Sequence, residues 1–289
     1  MQRTKPTFDA LVNDAAVLYS LPLLYDRLNQ AINHPRSSIA DITLIISDDP
    51  GLSVRILKLA NSPRFGYHSK IDSISAAVTI IGTQQLSDLA LAVSVIDIFS
   101  GISAELFNMT SFWKHSITCA IAARSLAICR REANPERFFL LGMVHDIGQL
   151  LLCTKAPEFF GDMIAESKAS GQPLYELQRK EFGFDHGDVG GALLQLWRIP
   201  ASISEAVTFH HAPGRSELYR TETALIHVAD VIAHALQIGF SCESCIPSLH
   251  EASWERLDIP HNMLAVILKQ TDEQLNDTME ILYGSGCHE

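Results

Sequence analysis

Along almost the whole chain apolar residues recur three and four positions apart, the spacing that lines one face of an α-helix, and no segment reads convincingly as strand. The punctuation agrees. Ser20 is placed to cap a helix entered near Pro22, Ser38 to cap IADITLIIS, and Asp49, with Pro50 at the first helical position, to cap GLSVRILKLAN. A Ser or Asp side chain there accepts from a backbone N–H that the first turn leaves unpaired, and proline has no such N–H to lose. ISAAVTIIG follows, and then, with Thr83 as cap, QQLSDLALAVSVIDIF, so the first hundred residues predict a lobe of about five helices.

FSGISAELFNMTS mixes Gly, Ser and Asn between two long helical patterns and is the expected internal boundary. A second lobe starts near Ser111 with FWKHSITCAIAARSLAICRR. NPERFFLLGMVHDIGQLLLC comes next, with Asn134 as cap and Pro135 at the first position, and then PEFFGDMIAESK, PLYELQRKEFG, DHGDVGGALLQLW, PASISEAVTFHHA, TETALIHVADVIAHAL and IPHNMLAVILKQTDEQLNDTMEILY. The expected fold is therefore all-α and two-lobed, residues 1–108 followed by 109–289.

With 47% hydrophobic and 19% charged residues the 289-residue chain has the composition of a globular protein able to bury a core. A net charge of −11 repels phosphate backbones, which argues against a nucleic-acid partner. The longest charge-free run, Ser73 to Ser87, is diluted by Ser, Thr and Gln, and the opening residues lack an apolar leader; no membrane span and a cytoplasmic location are expected. Of the six cysteines, Cys119, Cys129 and Cys153 lie in apolar helical patterns and read as packing, while Cys242 and Cys245 form a lone CxxC, a redox pair or half of a zinc knuckle whose second pair is missing, and otherwise an incidental loop.

One group of residues in the second lobe has the types that iron, manganese, nickel or zinc accept: His115, the adjacent His145 and Asp146, His186, the adjacent His210 and His211, and Asp230. Helices of a bundle can converge such groups on one point. The pair in VHDIGQLLL stands out, because an unpartnered Asp in an apolar helix costs several kcal/mol. It reads as a metal pocket or as a structural hydrogen bond. His186 reads either as a ligand or as the first helical residue after an Asp185 cap. His227 and His234 share a helix face with Asp230 and would orient it or simply pack, in preference to ligating an ion themselves, and Asp188 reads as solvated. His34, His68, His250, His261 and His288 lie in apparent loops or ends and read as solvent-facing.

The order His, His-Asp, His, His-His, Asp resembles the ligand order of HD-superfamily hydrolases, in particular the binuclear branch that cleaves cyclic di-GMP. The wider text resembles HDOD domains more closely. LPLLYDRL, DDPGLSVRILKLANSPRFG, ISAAVTIIG, FWKHSITCA, LLGMVHDIGQLLL, FDHGDVGGALLQLWRIP and FHHAP carry that resemblance across residues 18–212. It implies a helical N-terminal lobe followed by an HD-like lobe, and a bacterial-type regulatory module; with no recognisable sensor, receiver or output domain in the sequence, action on signalling proteins in trans is expected. From the HD branch it implies one or two divalent metal ions on the seven residues. If the chain is a phosphohydrolase, Asp146 would bridge those ions and the ligand would be a nucleotide or other phosphoester. Two departures bear on that choice: Gln149 stands where the cyclic di-GMP enzymes carry lysine, and APGRSELYRTET replaces their Gly-Tyr-Pro signature.

Overall fold

The computed structural model describes residues 5–19, 23–62, 70–102, 107–239 and 246–283, and every regular element among the described residues is a helix. The chain runs through α1 (Phe8–Leu18), α2 (Leu23–Asn33), α3 (Ile39–Ser47), α4 (Pro50–Ala60), α5 (Ile74–Ile81) and α6 (Thr83–Ile98). The caps lie where polar residues precede apolar runs. Ser38 accepts from the Asp41 N–H while the Asp41 carboxylate takes the Ser38 N–H, and Asp49 and Ser73 accept from Leu52 and Ala76. The Ser20 cap lies outside the described residues. Thr83 is corrected: it is the first helical residue of α6, and Gly82, at a φ of 95° open to glycine, turns the chain before it with no side-chain cap. Helix α1 adds an element that the sequence reading did not resolve.

Helix α6 is buried from Leu86 to Ile96 on every side, so it is a core helix rather than an amphipathic one. After Asn108, whose side chain caps the Ser111 N–H, α7 (Met109–Arg130) is likewise buried almost all round from His115 to Ala127. Around α7 pack α8 (Pro135–Val144), α14 (Arg220–Ala235) and α16 (His261–Tyr283). The remaining elements are α9 (Ile147–Lys155), α10 (Pro157–Ser170), α11 (Leu174–Phe182), α12 (His186–Leu196), α13 (Ala201–Phe209) and the short α15 (Glu251–Leu257).

The run expected as one helix from Pro135 is instead broken at His145 and Asp146 into α8 and α9. Apolar spacing continues through the break, which is why periodicity missed it. The stretch Pro135–Lys155 is long and apolar enough to cross a membrane, but 89% of its most apolar 18 residues are buried inside the protein, so its apolar residues already have partners.

Candidate metal centre

All seven residues singled out by type converge at one place. His115 comes from the middle of α7, His145 and Asp146 from the break, His186 from the first turn of α12, His210 and His211 from the end of α13, and Asp230 from α14. Glycines bring these helices close. A Cβ on Gly148 would overlap the His186 carbonyl oxygen and stand 2.8 Å from the Gly190 nitrogen, so α9 and α12 meet backbone to backbone. Asp185 caps α12 and Asp188 returns the bond to the Asp185 N–H at 3.1 Å, which fixes where His186 begins. Asp188 is therefore a half-buried capping-box residue rather than a solvated one.

The two oxygens of Asp146 face different histidines. Oδ1 lies 3.1 Å from His186 Nε2 and 3.7 Å from His210 Nε2, while Oδ2 lies 3.5 Å from His145 Nε2 and 3.9 Å from His115 Nε2. Asp230 Oδ1 stands 3.2 Å from His115 Nε2, 3.5 Å from His145 Nε2 and 3.0 Å from His234 Nδ1. His211 Nε2 is 2.9 Å from His186 Nε2, and its ring stacks on Tyr175 at 4.2 Å. His211 is half-buried, whereas the other six residues are at most 2% exposed. The result is two half-sites sharing one carboxylate.

The outer nitrogens of three rings are tied down. His145 Nδ1 donates to the Gly142 carbonyl at 2.7 Å, His210 Nδ1 to the Val207 carbonyl at 2.6 Å, and His186 Nδ1 to Gln178 Oε1 at 2.8 Å. A proton used outward leaves the Nε2 lone pair pointing inward, the tautomer a metal requires. His145 Nε2, His210 Nε2 and Asp230 Oδ2 are buried and make no hydrogen bond, an arrangement that a cation among them would satisfy. The donor set fits a divalent transition metal.

Charge leads to the same demand. Burial pushes the Asp146 and Asp230 carboxyls up, but His145, His186 and His210 around the first, and His234, His115 and His145 around the second, hold both well below the usual range. Burial pushes His115 and His211 down, which favours their neutral forms. Burial also acts to lower His145, yet Asp146 and its other neighbours outweigh it and raise the ring well above the ordinary histidine value. Two buried carboxylates require a cation, and a proton on His145 or a metal ion meets that requirement.

His234 reaches Asp230, in keeping with an orienting role, but His227 does not: its Nδ1 donates to the His210 carbonyl at 2.8 Å and its Nε2 accepts the His250 N–H at 2.9 Å. His34, His250 and His261 are exposed, and His68, His288 and the Cys242/Cys245 pair lie outside the described residues. Gln149 is buried, and its amide donates to Asp146 Oδ2 at 2.9 Å. Sequence reasoning missed Gln178, Tyr175 and the nearness of Cys119, whose sulfur lies by His145 and Asp230.

A helical fold that gathers five histidines and two aspartates between helices is the architecture of an HD-like domain. The HDOD domain model matches residues 18–213, and the chain belongs to the HDOD family. An uncharacterised protein of Treponema pallidum (strain Nichols) is 25% identical over 267 residues, 92% of this chain; the chain spans about half, 49%, of that relative's length. The crystal structure of an HDOD domain protein of unknown function from Geobacter sulfurreducens superposes with a TM-score of 0.74 at 21% identity, covering 94% of this chain and 96% of that one. A proposed phosphohydrolase from Shewanella amazonensis SB2B gives a TM-score of 0.71 at 24% identity, covering 95% and 97%. These structural likenesses establish the fold.

Proposed function

We propose that this HDOD protein is a cytoplasmic, bacterial-type regulatory module whose buried His/Asp centre binds one or two divalent transition-metal ions and which acts through signalling proteins in trans, without turning over a phosphoester. Burial carries the reading. Six of the seven candidate ligands are at most 2% exposed, so a phosphodiester in solvent does not meet Asp146 directly. Gln149 supports it as well, since its amide is committed to Asp146 Oδ2 and offers no positive charge to a phosphate. Groups that meet developing charge in a transition state commonly contribute about 3 to 4 kcal/mol, so the missing cation costs orders of magnitude in rate.

One observation favours a second reading, a metal-dependent phosphohydrolase: Asp146 presents each oxygen to a separate histidine set, as a carboxylate bridging two ions would. The same experiment tests both. Protein purified without chelator should carry metal that Asp146→Ala loses, and with iron, manganese, nickel or zinc supplied anaerobically it should leave cyclic di-GMP and simple phosphodiesters intact. Robust turnover abolished by Asp146→Ala would replace the regulatory reading with the hydrolytic one.

A further inference from the structure

Cys119 lies one turn beyond His115 on α7, four residues on, so both side chains leave the same helix face. It is fully buried, and its sulfur, one nitrogen of His145 and one carboxylate oxygen of Asp230 all lie within 4.8 Å of one another. Ligands bonded to one ion at ~2.0–2.3 Å stand about 3 to 4 Å apart, so small side-chain movements bring these three atoms to a common centre. A second observation points to the same spot. His145 Nε2 and Asp230 Oδ2, on the two residues that face the sulfur, are buried without a hydrogen bond.

The backbone is built to allow this approach. A Cβ on Gly142 would overlap Ala120 Cα and stand 2.8 Å from the Cys119 carbonyl carbon, so glycine alone lets α8 press against α7 here. The Gly142 carbonyl also receives His145 Nδ1–H, which turns that ring's Nε2 inward. One glycine thus positions both the sulfur and the nitrogen. The other half of the centre, Asp146 with His186, His210 and His211, groups only nitrogen and oxygen donors.

We infer that Cys119 is a thiolate ligand to an ion held by His145 and Asp230, which makes this half of the centre selective for a borderline-soft divalent ion such as zinc or ferrous iron. The inference rests on the metal-binding reading above and adds a ligand and a preference to it. On binding, the thiol releases its proton to solvent and the sulfur donates a lone pair to the ion; nothing is oxidised or reduced. Thiolate draws such ions over magnesium, calcium or manganese, which oxygen ligands suit better.

The test substitutes cobalt(II) into the full-length protein carrying Cys242→Ser and Cys245→Ser, which removes the CxxC sulfurs. A sulfur-to-cobalt charge-transfer band in the near ultraviolet is expected there and should vanish when Cys119→Ala is added, while circular dichroism stays unchanged. Cobalt bound with no such band, or a band that survives Cys119→Ala, overturns the inference and leaves the metal-binding reading standing. Failure to bind cobalt, zinc or iron at all overturns both. Should Cys119→Ala not fold, X-ray absorption on the zinc-loaded Cys242→Ser/Cys245→Ser protein decides. A sulfur neighbour at ~2.3 Å supports the ligand, and a shell of nitrogen and oxygen alone at ~2.0–2.1 Å removes it.

Discussion

Gln178 is fully buried, and its Oε1 accepts two bonds from one residue, the His186 N–H at 2.9 Å and Nδ1–H at 2.8 Å. Gln178→Leu would strand two buried donors, each costing about 1–3 kcal/mol when unmet. It would also release the ring, and loss of such an outer partner typically weakens metal binding about 10- to 100-fold. Gln178→Glu keeps the acceptor and should restore most of the affinity. Urea unfolding and zinc titration of the three proteins check this, and wild-type affinity in Gln178→Leu would show that the ring needs no anchor. Of the seven ligand candidates, His145 and Asp146 were legible from the cost of an unpartnered carboxylate in an apolar helix, and the others from residue type together with the resemblance to the HD ligand order. Gln178 was not, since nothing in the spacing from 178 to 186 tells that the chain turns after Gly183 and folds the amide back onto His186. Which of its two readings His227 would follow was open for a related reason. Its i−3 position gave its face relative to Asp230, but neighbouring α13 supplied a nearer acceptor in the His210 carbonyl.

Helix starts were the most legible elements, because a cap is a local bargain between one side chain and one or two N–H groups: Ser38, Asp49, Asn134 and Asp185 all cap as their sequence context implies. The break between α8 and α9 was illegible because its cause is tertiary. His145 and Asp146 leave the helix and face His115, His186, His210 and Asp230 on other helices, and Gly148 then lets α12 close over them. Gly148→Ala should therefore be strongly destabilising, since its Cβ would meet the His186 carbonyl and the Gly190 nitrogen, backbone atoms that cannot step aside. Overpacking of this kind costs about 1–3 kcal/mol and often more. The control is Gly161→Ala on α10, an exposed site where a Cβ meets nothing within 4 Å and where alanine should stabilise the helix by ~0.5–1 kcal/mol. Thermal melts of the pair should move in opposite directions. Equal shifts would mean that the α9–α12 approach does not depend on glycine.

At the scale of the whole molecule, the two halves expected from sequence share one continuous set of buried residues running from Leu11 to Leu282. Helix α6 packs directly on α8, and a polar contact crosses that joint: Asn134 caps α8 with its oxygen while its amide donates to Asp88 Oδ2 at 2.7 Å. Asp88, on α6, is 2% exposed. Burial pushes its carboxyl from 3.8 up to about 6, although hydrogen bonds from Asn134 and Gln84 pull the other way. Because the folded value is raised, the folded state holds this proton more tightly than the unfolded chain does. The stability so gained is fully present below about pH 4 and is lost as pH rises through about 6. A shift of this size corresponds to roughly 3 kcal/mol at ~1.4 kcal/mol per unit, an upper value for a group that keeps hydrogen bonds. Asp88→Asn removes the titration and keeps an acceptor for Asn134. Its unfolding free energy relative to wild type should therefore rise by about 1–3 kcal/mol between pH 4.5 and 7.5. Metal-linked effects, common to both proteins, cancel in that difference. A gap that stays constant with pH would show that Asp88 is ionised in the folded protein, and that the joint between the two halves tolerates a buried charge.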